Sequence, residues 1–243
     1  MQVELIGCTS AGKSTLIQQM LQNGAARDIP IMTSYDFVLW RYALGWVRPR
    51  ALRMLLLHGL AFWACLRTIG KHRQFLTLIL RLLWELPHSI PLTERLKIAR
   101  ITLRNLGIHE IVTRNASDTM LVLADEGTIQ AAHYLFVHVT EQPDLQNLAA
   151  YLEQAPLPDL LVYYQQPEAI LVERTLVRGH KRIRPPSFER VSHFIQHAAA
   201  VFTYAANVPL IRSRTLLVDG QEQRILYRPE QQKSESIVAA LIQ

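Results

Sequence analysis

A chain of 243 residues with 49% hydrophobic content is long enough for one generous globular core and too apolar to stay unfolded. Its two cysteines, Cys8 and Cys65, exclude a disulfide scaffold and make a reducing compartment the default. The formal charge of +6 is unevenly spread: residues 41–104 carry twelve Lys or Arg against two acids, a net of +10, leaving 14 basic and 18 acidic residues elsewhere, a net of −4. A slightly acidic domain therefore carries a basic, apolar insert.

The chain begins on Val3, Glu4, Leu5 and Ile6, which read as a buried parallel strand over residues 3–6. An acid sits where a secretory leader would be basic, so an intracellular, cytoplasmic protein is expected. Next, Gly7-Cys8-Thr9-Ser10-Ala11-Gly12-Lys13-Ser14 fits the phosphate-loop pattern G-x-x-x-x-G-K-S/T, with Thr15 following. Leu16, Ile17, Met20 and Leu21 then mark a helix face, closed by Asn23-Gly24. Strand, loop and helix are in the order the motif needs. Glycines at 7 and 12 let backbone N–H groups curl around a polyphosphate, and the helix N-terminus adds partial positive charge. Residues 7–15 are thus expected to bind ATP, Lys13 to reach its outer phosphates, and the Ser14 hydroxyl to ligate Mg²⁺.

Residues 36–114 form the apolar, basic insert between core segments 1–35 and 115–243. Residues 54–66 are apolar except for His58, but thirteen residues are too few to span a bilayer, which needs about 20. A second apolar run over residues 75–83 is broken by Arg81, and Thr93 is placed to cap a third helix. Three readings stand for this insert: a helical subdomain with its own core, a surface for anionic membrane or an amphiphilic acceptor through residues 41–104, and a transmembrane hairpin. Nucleic acid ranks below these, because no aromatic-rich strand motif accompanies the charge. His58 reads as a core histidine, and no His/Cys cluster has metal-site spacing.

Residues 119–124 form an apolar strand ending in Asp125 and Glu126. In a parallel sheet it ends on the same edge as the phosphate loop, so one carboxylate is placed to hold Mg²⁺ and the other to take a proton from an acceptor. We assign Asp125 to the metal and Glu126 to the acceptor. A further buried strand spans 160–164, followed by helical spacing over 167–177. Arg174 and Arg178 share a face of that helix and, with Lys181, Arg182 and Arg184, read as a mobile cationic lid. A helix over 186–201, a fifth strand over 207–211 and a helix over 234–242 complete the pattern, with residues 215–218 available as an extra strand.

Phosphate loop, Asp-Glu strand end and the segment Pro158 to Gly179, in this order, resemble the P-loop kinases around thymidylate kinase and the deoxynucleoside kinases. The resemblance covers roughly half the chain. It implies an α/β P-loop NTPase fold with five parallel strands in the order 2-3-1-4-5, flanked by helices. It implies ATP and Mg²⁺ as cofactors, with Lys13, Asp125, Glu126, Arg174, Arg178 and Arg182 as catalytic residues and Ser14 and Asp125 at the metal. On the acceptor side it points to Tyr35, Asp36 and Gln130. Gly127 stands where the family carries an Arg beside the acid. There is no Asn-Lys-x-Asp guanine tetrapeptide and no Leu-Ser-Gly-Gly-Gln signature, which ranks a switch GTPase and a transporter ATPase below a kinase. The expected activity is transfer of phosphate from ATP to a hydroxyl or phosphate of a small or amphiphilic acceptor: nucleoside- or nucleotide-like, sugar-like or lipid-linked. The rival is a regulatory, slowly hydrolysing NTP-binding protein, peripheral on the inner membrane face.

Overall fold

The computed structural model describes residues 1–87, 89–183, 185, 187–227 and 233–242. Val3, Leu5 and Ile6 are wholly buried in β1 (Gln2–Ile6), as a strand covered on both faces requires. β1 is central, with β3 (Leu121–Ala124) parallel on one side and β4 (Leu160–Gln165) parallel on the other. β2 (Ile31–Thr33) flanks β3, and β5 (Thr215–Asp219) flanks β4. The five parallel strands run 2-3-1-4-5, and β6 (Arg224–Tyr227) adds a sixth, antiparallel to β5. Chain order reverses on either side of β1, so the crevice for a ligand opens at the carboxyl ends of β1 and β3.

The fifth strand is not where the sequence places it. Residues 207–211 end α9 (Phe188–Asn207) and begin α10 (Pro209–Arg212). Pro209 has no N–H for a ladder, and its fixed φ suits the first position of a helix, so the segment turns instead of extending. The chain joins the sheet at Thr215, where Thr215, Leu216 and Val218 are buried. α1 (Lys13–Ala26) follows the phosphate loop, and the closing helix α11 (Lys233–Ile242) packs on it through buried Val238 and Leu241. The sequence pattern does not announce α6 (Ala132–Phe136) and α7 (Leu145–Gln154), which lie between β3 and β4. α8 (Glu168–Arg178) follows β4 and packs on α9.

The basic segment is four helices: α2 (Ser34–Arg41), α3 (Arg50–Arg67), α4 (Arg73–Glu85) and α5 (Leu92–Asn115). Thr33 caps α2, accepting from the Asp36 N–H at 3.1 Å. Thr93 does not cap α5: Pro91, extended at φ −66° and ψ 153°, holds that position, and the helix starts at Leu92 without a side-chain cap. Phe37 and Val38 of α2, Leu57 and Ala61 of α3, and Ile108, Ile111 and Val112 of α5 pack with Val122 of β3 into one cluster. The insert's core is thereby continuous with one face of the sheet. α3 and α5 approach backbone to side chain at Gly107, where a Cβ would overlap the backbone of Ala61. Among the described residues no helix is long and apolar enough to cross a membrane, which removes the transmembrane hairpin.

Candidate active site

The phosphate loop is built on backbone that only certain residues tolerate. Gly7 and Gly12 have φ of 145° and 102°. A Cβ at Gly7 would lie 2.6 Å from the Tyr164 carbonyl oxygen of β4, so the loop leaves β1 pressed against its neighbour strand. Lys13 turns back into the loop and donates to the carbonyls of Gly7 at 2.8 Å and Cys8 at 3.0 Å. Burial lowers its pKa, opposed chiefly by the negative charge of Asp125. Cys8 is buried and free, with its thiol pushed up to about 12 by desolvation, so it packs rather than reacts.

Gln130 braces this loop. Its side-chain oxygen accepts from the Gly7 N–H at 3.0 Å, and its amide nitrogen donates back to the Gly7 carbonyl at 3.2 Å. Its own N–H donates to Glu4 at 2.6 Å. Expected on the acceptor side, Gln130 lines the cleft with its amide engaged by the loop. Glu4 is wholly buried in β1, and desolvation raises its carboxyl from 4.5 to about 7.

Asp125 and Glu126 emerge at the end of β3 and take different partners. Asp125 accepts from the Ser14 hydroxyl at 2.7 Å. Glu126 accepts from Arg104 of α5 at 2.6 Å and from the Tyr134 hydroxyl at 2.9 Å. A hydroxyl and a carboxylate in contact are the hard oxygen donors that Mg²⁺ takes, the remaining positions falling to water and phosphate oxygens. Ser14 and Asp125 therefore fit the expected metal. No cluster of three or more His, Cys, Asp or Glu able to hold a metal occurs among the described residues, so no all-protein cage competes with this pair.

Arg104 is the residue at the carboxylate pair that the sequence reading did not single out. It is 8% exposed and stands beside the Tyr35 ring at 5.4 Å, with its cation on Glu126 where position 127 carries no side chain. The reason for that absence is steric: a Cβ at Gly127 would overlap the Glu4 carboxyl. Asn105 donates to the Gly127 carbonyl at 2.9 Å and fixes α5 against this turn. The signal available in the sequence was only the missing arginine itself; twelve basic residues in the segment 41–104 were equal candidates to replace it. Of the other residues expected on the acceptor side, Asp36 pairs with Arg53 at 2.5 Å, whereas Tyr35 lies near Glu126 and Arg104.

The cleft lined by Lys13, Ser14, Asp125, Glu126 and Tyr134 has a volume of about 500 Å³ and also contains Arg174, Arg178 and Arg182. Arg174 and Arg178 sit on α8, exposed and without ion pairs among the described residues, and Thr175 between them donates to Ser10 of the loop at 3.1 Å. Arg182 is not a mobile arm. It donates to the Val137 carbonyl at 2.9 Å and to those of His133 and Tyr134 at 3.4 Å, bracing the lid against α6. Lys181 is exposed, and Arg184 lies outside the described residues. His133 also lines the cleft, stacked on Phe202, and burial holds its pKa far below the usual range, so it stays neutral.

No protein-family model matches the sequence, and a search of curated proteins finds no relative. Among solved structures, deoxyadenosine kinase from M. mycoides with bound dATP is similar at 14% identity and a TM-score of 0.42, over 91% of this chain and 92% of that one. The same kinase with the products dCMP and a flexible dCDP bound gives 11% identity and a TM-score of 0.44, over 98% and 95% of the two chains. A likeness this distant decides nothing about chemistry, which rests on the geometry of the cleft.

Proposed function

We propose that the protein is an ATP-Mg²⁺-dependent phosphotransferase acting on a hydroxyl of a small, nucleoside-like acceptor. One observation carries the reading: adjacent carboxylates divide their partners, Asp125 toward the phosphate-loop hydroxyl and Glu126 toward a cation and a phenol on the far side. In phosphoryl transfer the acceptor oxygen bonds to the γ-phosphorus as the bond to the leaving diphosphate breaks. Lys13 and the loop N–H groups hold the donor phosphates, and Arg174 and Arg178 neutralise charge spreading over the transferred group. Glu126 accepts the acceptor's proton while Arg104 and Tyr134 fix its orientation. Ser14 and Asp125 would hold Mg²⁺, which would supply charge neutralisation to the donor phosphates. Tyr35 and Tyr134 near Glu126 offer aromatic surface to a flat acceptor ring.

Mass spectrometry of nucleosides and sugars incubated with ATP and Mg²⁺ tests this reading directly. A phosphorylated nucleoside is expected. Glu126→Gln should lose about a hundredfold or more in turnover at saturating metal, and Asp125→Asn should raise the Mg²⁺ requirement. Full turnover in both variants, or release of inorganic phosphate with no phosphorylated acceptor, would overturn it.

A further inference from the structure

Helix α3 is apolar on both of its long faces, and only one of them is covered. Leu57, Ala61 and Cys65, spaced by four, are buried toward α5. At 100° per residue the opposite face carries Leu52, Leu55, Phe62, Trp63 and Leu66, with Ile69 just past the helix end. All six are exposed: Leu55 by 69%, Phe62 by 53% and Trp63 by 52%. A helix that is apolar all round is normally buried all round, so this face is a surface awaiting a partner.

The charges around it name the partner. From residue 37 to residue 84 the chain has eight Lys or Arg and no Asp or Glu. Arg48 and Arg50 stand at the start of α3, and Arg67, Lys71 and Arg73 at its end. Among the described residues Arg48, Arg50, Arg67 and Arg73 form no ion pair, and Arg67 lies over the Trp63 ring at 4.9 Å. Trp46, just before the helix, is 75% exposed. An apolar strip with aromatic rings, cationic at both ends and without an anion, complements lipid acyl chains beneath anionic headgroups. A second copy complements it poorly, because pairing two such strips brings cation against cation in either direction. Nucleic acid would leave the apolar strip unmatched.

We infer that the outer face of α3 docks this protein on an anionic lipid bilayer, lying in the interface without spanning it. The inference does not rest on the phosphotransfer reading, and neither fails with the other.

Flotation of the full chain with phosphatidylcholine vesicles, with and without phosphatidylglycerol, tests it, with tryptophan fluorescence as a second readout. Binding to the anionic vesicles with a blue shift is expected, and weaker binding to neutral ones. High salt should release part of the protein, because exposed charges are screened. The combined variant Leu55→Gln, Phe62→Ser, Leu66→Gln should bind at least about tenfold more weakly, with nucleotide affinity unchanged. Should that variant misfold, Arg48→Gln with Arg50→Gln leaves the apolar strip intact and should weaken binding about fivefold for each cation engaged. No flotation at low salt would overturn the inference. So would flotation unchanged in the folded variants, or a vesicle-independent dimer in light scattering that the apolar variant dissolves, which would assign the face to a second copy.

Discussion

At the phosphate loop polar groups turn inward onto one another, whereas on α3 apolar side chains turn outward onto nothing. Lys13, Gln130 and Gly7 satisfy one another in the loop, and Ser14 and Asp125 do the same beside it. Leu55, Phe62 and Trp63 have no such arrangement. The contrast separates two kinds of site. The loop is preorganised by glycines at positive φ and by mutual hydrogen bonds, so its ligand replaces contacts already in place. The α3 helix is held from behind, through the packing of α5 and α2, and a partner on its outer face would supply contacts the chain lacks.

The largest expected effect lies at the loop. Lys13→Ala should lower phosphoryl transfer about a hundredfold or more while leaving thermal unfolding within a few degrees of the parent, because the side chain's hydrogen bonds go to loop carbonyls at the cleft. Turnover near that of the parent would end the comparison by showing that the loop is only a turn.

Next comes Glu4 beneath the loop. Its pKa is raised from 4.5 unfolded to about 7 folded, so the folded state holds the proton more tightly. The stability this contributes is complete below pH 4.5 and is lost as pH rises to about 7. Glu4→Gln should flatten that slope and gain stability above neutral pH, on the order of 3 kcal/mol at most. Urea unfolding across the range is the measurement, and parallel pH profiles for the two proteins would show that Glu4 does not titrate there.

The insert should answer to packing rather than charge. Gly107→Val places a side chain against the backbone of Ala61 and should destabilise by about 1–3 kcal/mol as α3 is pushed from α5. Nucleotide affinity, read by titration calorimetry, should hold if the two regions are separable. A loss of affinity would show that α5 transmits the strain to the site.

Arg104 is where the regions meet, and its effect on stability is expected to be the smallest. Arg104→Gln removes the cation on Glu126 at the mouth of the cleft and should lower the melting temperature by a few degrees, about 1–2 kcal/mol. It should also reduce turnover about tenfold with little change in affinity for ATP, because it touches only the acceptor side. An ATP affinity that falls as far as turnover would place Arg104 in the fold and not in the chemistry.

What could be read from the sequence follows the length scale of each feature. Gly7 to Ser14 is contiguous, and its geometry is set by φ angles that glycine alone reaches easily, so the loop and its place after a strand were legible. The order 2-3-1-4-5 was legible through the resemblance, since each motif ends a strand on one edge of the sheet. The fifth strand was misplaced because residues 207–211 have strand-like apolar content, and Pro209 outweighs it by starting a helical turn. Gln130 was picked out, but its bond to Gly7 spans 123 residues of sequence and could not be.

By itself the sequence determined the form of the phosphate loop and its place between strand and helix, because that form is written in neighbouring residues and local backbone preference. It also determined that the insert is apolar and basic. Tertiary structure alone decided which of the twelve basic side chains of residues 41–104 reaches Glu126, because that choice depends on the Glu4 carboxyl filling the space at Gly127 and on α5 lying across the turn. It likewise decided which apolar face of α3 stays in solvent. Helical periodicity marks two apolar faces equally well, and only the packing of α5 against one of them leaves the other open.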